Sequence, residues 1–239
     1  MKNKKLLMTI ILGVSLFSLT CCNVMNENQA QTVEKLLNEK YGMEFEVSSI
    51  RAEADTTTTI VHPKDNENIH FRAFLEKNGE LSGDNFIARV ISNKINEIAK
   101  GELMKAGIDS ESFTVVQDVS NVDFDVTDPN IELGEYISGS KPKQLVTDMI
   151  IKQNSNLNEK IIEATLNKLY SQSMNTNYTL YVYVLSEEEY EKCKEEFIKI
   201  SSFTPSFFKN YPLLEEYKFT FDEQGFSDIS VSKMKTSYK

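Results

Sequence analysis

Hydrophobic positions recur along this chain with two periods, one typical of helices and the other of strands. Side chains on one face of a helix repeat about every 3.6 residues, whereas those on one face of a strand alternate. The helical period predicts helices at residues 32–41, from residue 84 to Gly101 or Gly107, and at residues 144–152, 158–173 and 186–201. Alternation, or an apolar run between turn residues, predicts strands at residues 43–47, 56–62, 69–75, 113–119, 122–126, 178–185, 217–221 and 229–234. These elements predict an α+β body in which helices pack on antiparallel sheet.

Cap and turn residues mark the ends of several elements. Thr32 is the expected N-cap of the first helix and Gly42 its end, and Asp84 is the expected N-cap of the second helix. Residues 63–68 are a turn sequence that closes a hairpin between the flanking strands. The strand at residues 178–185 is apolar on both faces, which predicts a central strand covered on each side.

Residues 127–142 are the least regular stretch after the N-terminal segment, with Gly134, Gly139 and two prolines. Glycine and proline interrupt regular structure, so these residues are predicted to link two lobes, at residues 32–126 and 143–239. Helices and strands follow one another in a loosely similar order in the two halves, although no residue-level repeat is visible. A single α+β domain is the alternative. A small-ligand-binding function predicts, in the two-lobe arrangement, an apolar cleft between the two halves near Thr127–Pro142.

The first 22 residues have a different pattern from the rest of the chain. Three lysines, at positions 2, 4 and 5, precede a mostly apolar run from Leu6 to Leu19, and Cys21 and Cys22 follow it. The run is short for a membrane span, which needs about 20 residues. A basic start, an apolar run and a processing site are typical of an export signal. We therefore expect the chain to leave the cytoplasm.

The end of this segment resembles the lipobox of bacterial lipoprotein precursors. Leu19, Thr20 and Cys21 before Cys22 match its pattern of a leucine, two small residues and the modified cysteine. Modification of Cys21 would place Ser18 where the leucine belongs, so Cys22 is the preferred residue and Cys21 the alternative. The resemblance implies a cleaved signal peptide of residues 1–21, a diacylglyceryl lipid of the palmitate type on Cys22, and a location on the extracytoplasmic face of the cell membrane.

Residues 22–31 are polar and are expected to form a tether between the lipid and a body at residues 32–239. A flexible tether of about ten residues reaches roughly 17 Å, so we expect the body to work close to the membrane. Residues 39–47 also resemble the opening of small, uncharacterised lipoproteins from low-GC Gram-positive bacteria. That resemblance implies no activity.

The charge of the chain narrows its choice of partners. The formal net charge is −10, and removal of residues 1–21, which carry three lysines and no acidic residue, lowers it to −13. Nucleic-acid binding needs clustered basic residues, whereas the arginines are confined to Arg51, Arg72 and Arg89. We expect no nucleic-acid partner. A basic protein or peptide is the natural complement of the acidic body.

Several patterns in the sequence are candidates for catalytic or metal sites. Ser138 and Lys141 formally match Ser-x-x-Lys, but a proline directly follows the lysine, and we attribute the match to chance. The acidic residues around one predicted strand lack the glycine and the final glutamate of a calcium loop and are interpreted as a solvated face; they are Asp118, Asp123, Asp125 and Asp128. Other catalytic motifs are absent from the sequence. We therefore expect no enzyme activity, no cofactor and no metal.

One cysteine and one group of aromatic residues also bear on function. Cys193 falls on the apolar face of its predicted helix and is expected to be a buried core thiol, without a disulfide partner once Cys22 carries lipid. Aromatic residues in the segment that follows are either core or interface; they are Phe203, Phe207, Phe208 and Tyr211.

The sequence favours a membrane-anchored lipoprotein that binds a protein partner, in one version as an immunity or exclusion protein. A small-ligand-binding lipoprotein for uptake or sensing is the alternative.

Overall fold

A computed structural model describes residues 27–52, 55–121, 124–222 and 224–232. The chain divides into two units. The first takes the described residues as far as Glu67 together with Phe71–Asp84, and the second takes Asn68–His70 and the described residues from Asn85 onward. The fold class is α+β, as the sequence predicts.

The first unit is one helix and a four-stranded antiparallel sheet. Helix α1 covers residues 27–41. The strands follow in the spatial order β1-β2-β3-β4; they are β1 (Phe45–Ala52), β2 (Thr56–Pro63), β3 (Phe71–Glu76) and β4 (Leu81–Asp84). Val33 and Leu37 from α1 are fully buried, and Phe45 packs edge-on against Phe71. The predicted hairpin with its turn at residues 63–68 is confirmed by the antiparallel pairing of β2 with β3.

The ends of two helices differ from the prediction. Residue 27 is already helical, so Thr32 lies inside α1, where its hydroxyl donates to the carbonyl of Asn28, and the expected tether of residues 22–31 overlaps the helix. The end at Gly42 is confirmed, with a positive φ of 69° that glycine adopts without strain. Asp84 does not cap the second helix, because it closes β4 and accepts a hydrogen bond of 2.6 Å from the Tyr41 hydroxyl.

The second unit combines helices with a five-stranded sheet in the order β5-β6-β7-β8-β9. Its helices are α2 (Phe86–Lys105), α3 (Leu133–Ser140), α4 (Glu159–Gln172) and α5 (Glu187–Phe197), followed by a short 3₁₀ helix at Pro205–Asn210. Its strands are β5 (Ser110–Val119), β6 (Pro142–Lys152), β7 (Asn177–Leu185), β8 (Glu215–Asp222) and β9 (Gly225–Ser232). Strand β7 is the middle strand, which confirms the prediction made from its two apolar faces.

The helix predicted at residues 144–152 is wrong, because these residues form strand β6 between β5 and β7. Met149, Ile150 and Ile151 are all fully buried. Consecutive buried side chains require a strand covered on both faces, and a short apolar run does not reveal this by its period alone. Strands β6 and β7 are parallel and are connected through α4, so the expectation of purely antiparallel sheet is wrong for this pair.

Residues 127–142 do not separate the two units, which divide at Asp84 and Asn85 instead. They contain helix α3 and lie within the second unit. A Cβ atom added to Gly139 would come within 2.1 Å of the Phe124 ring, so this glycine permits close packing. Residues 124–126 are not in a strand, contrary to the prediction for 122–126, of which residues 122 and 123 lie outside the described residues.

The signal segment Met1–Cys22, with both candidate lipidation sites, lies outside the described residues. Among the helices in the described ranges, none combines the length and the apolar character required to cross a membrane.

Candidate functional site

A polar cavity of about 270 Å³ lies in the second unit, against one face of helix α2. Arg89, Asn93, Asn96 and Lys100 follow one another at spacings of three and four residues, which places them along one face of that helix. Strand β5 and the end of α5 supply further lining residues, which are Glu111, Ser112, Phe113, Lys194, Phe197 and Ile198. We call this space the Arg89 cavity.

Arg89 is held in place by backbone carbonyls and an aromatic ring. Its Nε donates to the carbonyl of His70 at 3.2 Å, and its Nη1 donates to the carbonyl of Thr114 at 2.8 Å. Its guanidinium carbon lies 4.1 Å from the centroid of the Phe113 ring, a cation–π distance. The side chain is therefore fixed against β5, and these hydrogen bonds do not use Nη2.

The charge of Arg89 is buried without an opposite charge beside it. The residue is 8% exposed, and in the part of the chain that the structure describes no carboxylate forms an ion pair with it. Burial lowers the pKa of its guanidinium to about 10, which still leaves it positive at neutral pH. A buried charge is costly unless it is paired. A bound anion would supply the missing charge.

The other end of the cavity is electrically balanced. The Glu111 carboxylate accepts a hydrogen bond of 2.8 Å from Lys100 and forms an ion pair with Lys194 at 3.2 Å. Glu97 also lines the cavity, so its three basic residues exceed its two acidic residues by one charge. The geometry therefore suits a small polar molecule with one negative charge.

Side-chain amides and hydroxyls provide polar contacts between these ends. The Oδ1 atom of Asn96 accepts a hydrogen bond of 2.7 Å from the Thr114 hydroxyl, which fixes the orientation of the amide. The same hydroxyl lies 2.7 Å from that of Thr147, which is 2.5 Å from the hydroxyl of Tyr178. This buried chain of hydroxyls ties α2 to the sheet and stiffens one wall of the cavity.

Sequence reasoning missed the Arg89 cavity because its residues come from separate elements. One signal was present: Arg89 interrupts an otherwise apolar stretch of α2, between Phe86 and Ile91. A charged residue inside an apolar stripe needs a partner. The partner is not identifiable by spacing along the chain, since the surrounding carbonyls belong to distant residues.

The aromatic residues for which the sequence allows either a core or an interface position divide between the two. Tyr211 is buried, whereas Phe203, Phe207 and Phe208 are half-buried and rest on the core of the second unit. The Phe208 ring centroid lies 4.2 Å from that of Tyr183. We call these three phenylalanines the aromatic cap. They close the core and leave part of their rings at the surface.

The other residues that the sequence suggested as candidates for chemistry have roles in the folded structure. Cys193 is a free thiol that is fully buried, as predicted. The hydroxyl of Ser138 donates to the carbonyl of Gly134 at 2.7 Å, and Lys141 ends helix α3 in a left-handed conformation. Within the described ranges, histidine, cysteine and acidic side chains form no cluster suited to a metal ion.

No family model and no curated protein matches this chain. Among solved structures, it is similar to a DUF5037 family protein from Ruminococcus gnavus ATCC 29149, with a TM-score of 0.65 and 15% sequence identity. The similarity covers 83% of this chain and 94% of that chain. At this identity the likeness shows the fold alone, and it agrees with the α+β architecture.

Proposed function

We propose that this chain is an extracytoplasmic lipoprotein, anchored to the cell membrane through Cys22, that binds a small ligand in the Arg89 cavity for uptake or sensing. The observation that carries the binding proposal is the buried guanidinium of Arg89, which lines a cavity and has no carboxylate beside it in the described chain. Sites for small molecules are typically concave and contain a few fixed polar groups. The support for the anchor is the lipobox-like sequence at Leu19–Cys22.

Binding in this cavity is tested by exposing the full chain, purified in detergent, to a library of small polar metabolites and measuring thermal unfolding. A ligand that binds only the folded protein raises its unfolding temperature. We expect at least one library member to stabilise the wild-type chain but not a variant with Asn93→Asp. The same change at exposed Asn167, in helix α4, is the matched control. Equal stabilisation of both variants would place the ligand elsewhere.

A protein partner is a second candidate function, supported by the aromatic cap. Three half-buried phenylalanines lie close together on an acidic body, and aromatic residues are enriched at the centres of protein interfaces. A basic exported protein fits this surface, and an immunity or exclusion role would follow if that protein were a toxin.

The protein-partner candidate is tested by affinity capture from a membrane and culture-fluid extract. Phe203→Asn, on the aromatic cap, is compared with Met104→Asn, a substitution of a methionine that is 62% exposed on helix α2. Loss of a captured protein in the first variant alone would support binding at the cap. The immunity version predicts that deletion of the gene sensitises cells to culture fluid from toxin-producing kin; unchanged survival would refute it.

A further inference from the structure

We infer that the ligand of the Arg89 cavity is a small polar monocarboxylate whose carboxylate is bound by the free edge of the Arg89 guanidinium. This inference rests on the proposed ligand-binding function and names its chemical class. Three features of the cavity carry it: the geometry of the guanidinium, the balance of charge, and the arrangement of polar side chains.

The geometry of Arg89 suits a carboxylate. A guanidinium has five N–H groups, and the two hydrogen bonds to backbone carbonyls use one on Nε and one on Nη1. Both N–H groups of Nη2 and the second one of Nη1 are left. That pair of nitrogens can hold the two oxygens of a carboxylate in parallel hydrogen bonds. The guanidinium is already immobilised by Thr114 and Phe113, so little further ordering is required on binding.

The charge of the cavity favours a monoanion over phosphate. Glu97 and Glu111 line the cavity together with the three basic residues, which leaves one excess positive charge. A monocarboxylate balances that charge. A phosphate dianion would exceed it and would also meet Glu111, whose carboxylate already occupies the ammonium groups of Lys100 and Lys194.

The remaining lining residues indicate that the ligand is polar along its length. Arg89 and Lys100 are eleven positions apart on one helix, about 16 Å at 1.5 Å per residue, and Asn93 and Asn96 lie between them. Ser112 faces the same space from β5. Amides and hydroxyls recognise hydroxyl or amide groups, and a purely apolar tail would leave them without partners. Hydroxylated acids of a few carbon atoms fit both the cavity volume and this lining.

The inference is tested by saturation-transfer NMR and titration calorimetry on the full chain in detergent. The probes are lactate, glycerate and gluconate, each paired with its neutral amide, and inorganic phosphate. We expect at least one acid to bind and its amide to bind at least tenfold more weakly. Asn93→Asp should weaken the binding of that acid at least tenfold, because the new carboxylate lies one helical turn from Arg89 and competes for the guanidinium. Asn167→Asp should leave its affinity unchanged.

Arg89→Lys separates the geometry of the guanidinium from its charge, because lysine keeps the positive charge and loses the planar fork. We expect Arg89→Lys to lower the affinity for the acid without abolishing its binding. Amides that bind as well as acids, or phosphate that binds more tightly than every acid, would overturn the carboxylate assignment and leave a ligand-binding cavity. Failure of all three acids overturns the inference; if the metabolite library also contains no ligand sensitive to Asn93→Asp, the proposed function falls with it.

Discussion

Tyr183 donates a hydrogen bond of 3.0 Å to Oδ1 of Asp148, between the parallel strands β6 and β7. Asp148 is buried, and burial raises the pKa of its carboxyl to about 6, with a smaller contribution from the charge of Glu216. The hydrogen bond from Tyr183 acts in the opposite direction and is outweighed. Asp148 is thus a carboxylic acid that the folded chain holds largely protonated below pH 6.

This shift makes the stability of the second unit depend on pH. The pKa of Asp148 is higher in the folded chain than its ordinary value of 3.8, so the folded state binds the proton more tightly than the unfolded state. The contribution of this proton to the free energy of unfolding is complete below pH 4 and is lost as the pH rises through 6. We expect Asp148→Asn to remove this dependence and to stabilise the chain at pH 7.5 by roughly 2–3 kcal/mol. Urea unfolding at pH 5 and pH 7.5 measures the difference.

Asp125→Asn is the control for this prediction, because Asp125 is an exposed carboxylate in the same unit. It should leave the pH dependence of unfolding as in the wild type. The difference in unfolding free energy between the wild type and Asp148→Asn should change between pH 5 and pH 7.5. An equal difference at both pH values would show that Asp148 does not titrate in this range.

Two glycines of helix α3 should respond in opposite ways to alanine. Gly139→Ala places a methyl group against the Phe124 ring, which must move and give up its edge-on contact with Tyr136. A Cβ atom added to Gly134 would meet only the sulfur of Met174, at an ordinary van der Waals distance of 3.9 Å. We expect Gly139→Ala to destabilise the unit by about 1–3 kcal/mol and Gly134→Ala to stabilise it by up to about 1 kcal/mol through helix propensity. Thermal unfolding compares them, and a shared direction would contradict the packing of Phe124 on α3.

The lipobox resemblance predicts that one of two adjacent cysteines carries lipid. Cys22→Ser should abolish incorporation of a palmitate analogue and leave residues 1–21 uncleaved, because lipidation of the cysteine precedes cleavage in the lipoprotein precursors that this segment resembles. Cys21→Ser should change neither property, since serine is also a small residue before the modified position. Metabolic labelling, followed by electrophoresis that separates the cleaved from the uncleaved chain, tests both variants. The reverse result would assign the lipid to Cys21, and a wild-type chain that takes up no label would reject a lipoprotein.

Local signals predicted those elements whose ends and faces are determined by nearby residues. The apolar period predicted a helix at residues 158–173, and α4 begins within one residue of that start, where the Asn158 side chain caps it by accepting a hydrogen bond from the amide of Ile161. The two apolar faces of β7 indicated a central strand. Strands were also predicted at residues 217–221 and 229–234, and they pair as β8 and β9 in a hairpin that turns at Gly225, with a φ of 110°.

The errors arose where tertiary context decides. The residues of β6 read as a short helix, and their burial between two neighbouring strands is not a local property. The sequence pattern predicted that Gly139 lies in a linker. In the structure a glycine is required there because the Phe124 ring packs against its backbone. The Arg89 cavity was missed for the same reason: Thr114 and His70, whose carbonyls hold Arg89, are remote from it in sequence.

Cys193 should behave as a core residue in chemical modification. Burial, with smaller contributions from Glu196 and Glu189, raises the pKa of its thiol to about 12, so the reactive thiolate is scarce at neutral pH. We expect a thiol reagent to modify Cys193 only as fast as the chain unfolds, and at once in denaturant. Cys193→Ala should cost about 1–2 kcal/mol of unfolding free energy, and Cys193→Ser should cost more because it buries a hydroxyl among apolar side chains. Modification of the native chain at the rate of an exposed thiol would contradict this burial.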